Sequence, residues 1–212
     1  MNKHLAPSLY QPSQSDDFLG SAHRIAKLLT KKSGTLNASG TGIAKILLIG
    51  NPGVGKTRLA EMFALQLAGH ASQIESVNGR NVSLDLVRRW QEEMRYFPMM
   101  GKFSVRIVNE LDTAPTMAQD LLLTFLDEMP RNTAFIGTSN LKLSQMTERF
   151  QSRLQSFRVD APSTEEIAGF LIRMWQLTPN AANQIAVGSG GNVRAAFMDA
   201  QCSLDDAAVV AA

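Results

Sequence analysis

Cysteine is nearly absent: Cys202 is the only one in 212 residues. That excludes an intrachain disulfide and any zinc site built on cysteine pairs. Histidine is scarce too. His4, His23 and His70 are scattered and form no His-Glu-x-x-His pair, so they are expected as surface or structural residues, not metal ligands. No apolar run approaches membrane-spanning length, and the longest, Ile46 to Ile49, suits a strand. The amino-terminal "MNKHLAPSLY" lacks the apolar core of a secretory signal. A reducing, cytoplasmic setting with no membrane partner is the expectation. Charge of one sign is also lacking. Lys and Arg number 21 against 19 Asp and Glu, a net +2, too small an excess to argue for nucleic acid by itself. There are no internal repeats. What remains is a chain of 44% apolar residues, enough for one large domain or a mid-sized domain with a small appendage.

Periodicity organises that chain. Residues 21–32 carry Ile25, Leu28 and Leu29 on one face, predicting a helix that Gly34 ends; "SGTLNASGTG" (33–42) then reads as a loop. The run 44–49 between Gly42 and Gly50 predicts a strand buried on both faces. A helix over 56–68 follows, then a brief strand at 74–77 and a helix that Ser83 caps. Strands at 104–108, 133–138 and 155–159 alternate with a helix for which Thr116 and Gln119 form a capping box. Tyr96 to Gly101, "YFPMMG", reads as a packed connector. Strands alternating with helices imply a mostly parallel sheet covered on both faces. Beyond Pro162 the pattern is helical only. Ser163 and Glu166 form another capping box, and Ile167, Phe170, Leu171 and Trp175 follow helical spacing. The predicted division is an α/β domain over 1–160 and a small all-helical domain over 161–212, whose tail, "LDDAAVVAA", is expected to fray.

One motif carries chemistry outright. "GNPGVGKT", Gly50 to Thr57, fits Gly-x-x-x-x-Gly-Lys-Ser/Thr between a buried strand and a helix. At average glycine usage such a match arises by chance in about one chain of this size in a hundred. The glycines let the loop Pro52–Gly53–Val54–Gly55 and the helix start curl around a phosphate, with backbone N–H groups from Gly53 onward facing it. Lys56 reaches the terminal phosphates, and the Thr57 hydroxyl is placed to ligate Mg²⁺. Such a site needs a neighbouring strand end with a metal-supporting group and a water-activating base. "VRIVNELD" supplies Asn109 in the first role and Glu110 in the second. An amide lacks the negative charge of the usual aspartate, so its support for Mg²⁺ is expected to be weaker. Asp112 is the alternative acid.

From here the sequence resembles the AAA+ ATPases, and among them the subunits of sliding-clamp loaders, over about residues 9–202. "LYQPSQSDDFLGSAHRIAKLL" is similar to the family's opening segment, and "ESVNGRNVSLDLVRRWQ" to its second strand and following helix. "TAFIGTSN" resembles the sensor 1 strand, implying Asn140 near the γ-phosphate. "RFQSRLQSFRV" resembles the Ser-Arg-Cys segment with Leu154 in place of the cysteine, implying Arg153 as an arginine finger acting in trans; Arg149 is the second candidate. "GGNVRAAFMDA" resembles the sensor 2 helix, implying Arg194 on the nucleotide of its own subunit. Asn78 matches the polar switch residue that restrains the base. The resemblance implies a P-loop NTPase fold, a five-stranded parallel sheet followed by a helical lid, with ATP and Mg²⁺ as cofactors. A homo- or hetero-oligomer is implied, with DNA or a sliding clamp as partner. The chain shows neither a helical collar nor a four-cysteine zinc module, so a minimal relative of the loaders is expected.

The function expected is therefore an ATP-driven assembly switch for DNA replication or repair complexes, slow in hydrolysis as an isolated protein. Arg80, Arg88 and Arg89 face either DNA phosphates or solvent. Two alternatives stay open. A protein-remodelling ATPase would carry an aromatic pore loop after the second strand, where this chain has "NGRNVSLDL". A weakly hydrolysing ATP-binding module would fit Asn109.

Overall fold

The computed structural model describes residues 6–98 and 100–210. His4, Met99 and the last two residues of the tail lie outside the described residues. Five parallel strands form one sheet: β1 (Ile43–Gly50), β2 (Ile74–Asn78), β3 (Ser104–Asn109), β4 (Thr133–Ser139) and β5 (Gln155–Val159), in the order β2-β3-β4-β1-β5. The helices are α1 (Gly20–Ser39), α2 (Lys56–Ala68), α3 (Leu84–Glu93), α4 (Thr116–Glu128), α5 (Glu148–Gln151), α6 (Thr164–Trp175), α7 (Pro179–Ser189) and α8 (Val193–Val210).

The unbroken apolar run of β1 follows from its central place. Side chains alternate across a sheet. Ile46 and Leu48 enter the core under α1 and α2, while Leu47 and Ile49 enter the core under α3 and α4. All four are 4% exposed or less, and each contributes about 1.5–3 kcal/mol by leaving water. A third apolar cluster lies apart from the sheet. It joins α6, α7 and α8, with Phe170 stacked on Phe197 at 5.5 Å. Tyr10 of the amino-terminal segment plugs into it, with its ring centroid 5.7 Å from Phe170 and 5.8 Å from Phe197.

Four local expectations are overturned. Gly34 does not end α1, and 33–39 is helix, not loop. Leu36 packs on the core, Ser33 bonds Gln66, and the Asn37 amide donates to the Gln66 carbonyl at 2.7 Å. These tertiary contacts outweigh a glycine's modest cost in a helix. The helix stops instead at Gly40, which adopts φ 67°. Thr116 is the first residue of α4, not its cap: Pro115 precedes the helix and Gln119 donates to the Ala114 carbonyl. Ser163 and Glu166 do form their capping box. The "YFPMMG" connector is not packed, since Tyr96, Phe97 and Met100 are 78, 72 and 54% exposed. The expectation that the strand bearing Glu110 lies directly beside the phosphate-loop strand is also corrected, because β4 lies between them. The tail is helical as far as Val210.

Candidate nucleotide-binding site

The sheet register assembles the site. Ile49 pairs with Ser139 across β1–β4, so the phosphate loop leaves the sheet beside Asn140. β3 ends on the other flank of β4, bringing Asn109 and Glu110 to the same carboxyl edge. Ligands of parallel α/β sheets bind at this edge.

Lys56, the first residue of α2, is buried at 7% exposure. Its ammonium donates to the carbonyls of Gly50 and Asn51, each at 2.8 Å, and to Asn140 Oδ1 at 2.9 Å. All three acceptors are neutral. Burial lowers its pKa to about 8, against the opposing pull of Asp112. The helix start has no side-chain cap, which leaves its first N–H groups available to an anion. Gly53 and Gly55 adopt φ 79° and 97°, and a Cβ on Gly53 would collide with the Asn192 side chain. The loop is thus pressed against the start of α8, where the Arg194 N–H donates to the Gly53 carbonyl at 3.4 Å.

Glu110 takes a left-handed conformation, φ 54° and ψ 51°. Its N–H donates to Thr138 Oγ1 at 3.1 Å, and its carboxylate accepts from Asn78 Nδ2 at 3.1 Å. Gly79 makes the second contact possible, because a Cβ there would strike the Glu110 carbonyl oxygen. Asn109 turns elsewhere. Its amide donates to Ser76 Oγ at 3.1 Å and accepts from Thr138 Oγ1 at 3.3 Å, bridging β2, β3 and β4.

These groups surround a cleft of about 540 Å³, within the range of small-ligand sites. Pro52, Gly53, Gly55, Lys56, Thr57, Glu110, Asn140 and Arg194 all line it. Pro7, Tyr10 and Phe197 add an apolar rim. Val54 is buried beneath the loop, and Asn109 does not line the cleft. A larger opening of about 1020 Å³ between α1 and α6 is lined by charges of both signs, by residues of the opening segment and of α6, and shares no residue with the nucleotide cleft.

Residues 46–160 match the model of the ATPase family associated with various cellular activities (AAA). The chain belongs to the AAA family of ATPases. Among solved structures it is similar to RuvB of Thermotoga maritima, described as a Holliday junction branch migration motor. The identity is 21% over 95% of this chain and 67% of that one, with a TM-score of 0.76. A variant of the same RuvB gives a TM-score of 0.79 at 20% identity, covering 95% and 68% of the two chains. Likeness at this identity is likeness of fold. The comparison with curated proteins returns no match.

In this AAA chain the two remaining arginines stand off the cleft. Arg149 pairs with Asp120 at 2.7 Å and is 65% exposed. Arg153 grips Asp127 through Nε at 2.8 Å and Nη2 at 2.8 Å. Arg88 and Arg89 are ion-paired as well, to Asp85 and to Glu75 and Glu93. Among the described residues no three His, Cys, Asp or Glu side chains could hold an ion alone. A magnesium ion therefore fits only with nucleotide phosphates as further ligands, which suits the Thr57 hydroxyl on the cleft wall. Sequence reasoning missed Ser76 and Thr138. Both lie inside the quoted strand segments, yet neither was singled out there, and only the register brings them to Asn109.

Proposed function

We propose that this AAA protein binds Mg²⁺–ATP in the cleft and hydrolyses it within an oligomer, as a nucleotide-dependent switch on DNA replication, recombination or repair complexes. The observation that carries the reading is the 2.9 Å contact of Lys56 with Asn140, which unites two motifs 84 residues apart around a buried cation whose hydrogen-bond acceptors are all neutral. Lys56 and the start of α2 hold the phosphates. Bound Mg²⁺ supplies charge neutralisation of the phosphate oxygens, with Thr57 as its protein ligand. Glu110 orients and deprotonates water beside Asn140, and Asn78 holds that carboxylate back until β2 shifts. Arg194 links the nucleotide to a helical lid, which we place at 161–212. Arg153, with Arg149 as the second candidate, acts on a neighbour's nucleotide. Neither lines its own cleft, and leaving a solvent-facing ion pair costs little.

The finer reading, a clamp-loader-like assembly switch, rests on the order of the motifs. The RuvB likeness supports the coarser one, an ATPase working on DNA. The Asn78–Glu110 bond and the turned-away Asn109 favour a second reading, a binding module that barely hydrolyses. ATPase rates measured against protein concentration separate the two. The switch predicts a specific rate that rises with concentration and falls at least about 100-fold in Arg153→Ala. A concentration-independent rate that neither Arg153→Ala nor Arg149→Ala lowers contradicts the trans mechanism and leaves the binding module.

A further inference from the structure

We infer, on the Mg²⁺–ATP reading of the cleft, that Glu61, steadied by Arg58, reads the sugar of the nucleotide by accepting hydrogen bonds from the ribose hydroxyls, so that the cleft prefers ribonucleotides. Lys56, Arg194 and Glu110 serve the phosphates and the attacking water. Two further charged side chains on the cleft wall have no such task. Arg58 and Glu61 both line it, and Arg58 Nη1 donates to Glu61 Oε2 at 2.6 Å.

Position on α2 separates this pair from the phosphates. Lys56 and Thr57 open the helix, and Glu61 lies five residues beyond Lys56, about 7.5 Å along the axis. Leu59 and Phe63 bury the inner face of α2 in the core it shares with β1. Arg58 and Glu61 therefore occupy the outer face, away from the strand ends that carry Glu110 and Asn140. A triphosphate anchored on Lys56, with its terminal phosphate toward those strand ends, carries its nucleoside the other way. The rim there offers a base flat apolar contact through Pro7 and Phe197, but its other polar side chains are engaged. The Ser8 hydroxyl donates to Gln201 at 3.5 Å, and the Tyr10 hydroxyl bonds Asp17. Glu61 Oε1 receives no hydrogen bond among the described residues. An ionised carboxylate can only accept. It repels a polyphosphate and matches the paired hydroxyls of a ribose, the use an acidic residue has in dinucleotide sites. Arg58 offsets its charge and fixes its direction. The same i,i+3 pairing joins Asp85 and Arg88, which line neither opening. Such a pair gives a helix little, so the place of Arg58 and Glu61 in the cleft, and not their pairing, points to a ligand.

The test is calorimetric titration, with Mg²⁺ present, of ATP against 2′,3′-dideoxy-ATP, which lacks both hydroxyls. Wild type should bind ATP at least about tenfold more tightly. Glu61→Ala should bind the two equally, at the level wild type shows for the dideoxy nucleotide. Glu61→Gln keeps the side chain's length and a neutral acceptor, should retain a preference of about threefold, and answers the question if the alanine variant does not fold. Equal affinities in wild type overturn the inference. So does a full preference in Glu61→Ala; if both affinities fall together there, Glu61 meets the base instead. A wild-type protein that binds neither nucleotide removes the cleft reading, and this inference with it.

Discussion

Two buried cations sit at different places on one sheet, and their surroundings could hardly differ more. Lys56, at the carboxyl edge, meets two carbonyls and an amide oxygen. Arg106, on β3, donates to Glu93 at 2.8 Å and pairs with Glu75 at 3.5 Å through a buried Nε that has no hydrogen-bond partner, while its Nη1 donates to the Ser104 hydroxyl and the Val105 carbonyl. Trp90 completes that group by donating to Glu75 at 2.7 Å. They are 7% and 6% exposed, so burial does not distinguish them. Compensation does. A buried charge matched by carboxylates ties elements together, here α3 to β2 and β3. A buried charge whose hydrogen bonds all go to neutral oxygens, with carboxylates acting on it only through space, is held ready for an anion that arrives later.

The comparison breaks most visibly at Arg106. Arg106→Ala removes the buried partner of Glu75 and Glu93, leaving them only the exposed Arg89 and, for Glu75, the Trp90 indole; it is expected to cost about 2–4 kcal/mol in urea unfolding, with nucleotide affinity within about twofold of wild type. A stable variant that binds ATP poorly would reverse the roles assigned to the two cations. Asn109→Ala removes the bonds to Ser76 and Thr138, and should lower stability by about 1–2 kcal/mol by the same measurement. The smallest effect is in pH. Because the free protein holds Lys56 near pKa 8 and a triphosphate favours the ammonium, affinity should be flat below that pH. It should then weaken toward about tenfold per unit above it. Calorimetry at pH 8 in buffers of differing ionisation enthalpy should show about half a proton taken up per nucleotide bound. The sign for the free protein is opposite to that of a stabilising pair. Lys56 is ordinarily charged up to about 10.5 when unfolded, so its burial costs stability most below pH 8 and progressively less as pH rises.

The sheet and the phosphate loop were legible because each rests on local pattern. β1 and β5 are apolar or alternating runs bounded by breakers, and glycine spacing fixes the loop whatever surrounds it. Gly34 shows where pattern fails, since Leu36 and Asn37 make their contacts with α2 and the sheet, which no local window contains. The site divides in the same way. Lys56 and Thr57 follow from one motif, and Glu110 from the strand it ends. The bond between Asn78 and Glu110 had a weak signal in the family resemblance. The Asn109 bridge had none, because it depends on the register of β2, β3 and β4 and on two ordinary hydroxyl residues. Asp112 stood in the sequence as an alternative acid. That its Oδ1 is buried without a hydrogen-bond partner is a property of the turn that Glu110 starts.

Lys56→Met tests the central contrast most directly. It retains much of the side chain's length and removes the charge. Titrated with ATP in a calorimeter, the variant should bind at least about 100-fold more weakly than wild type, while its unfolding midpoint without nucleotide stays equal or rises. Unchanged ATP affinity in a folded Lys56→Met protein would contradict the account, because the buried ammonium would then serve the fold, as Arg106 does, and not the nucleotide.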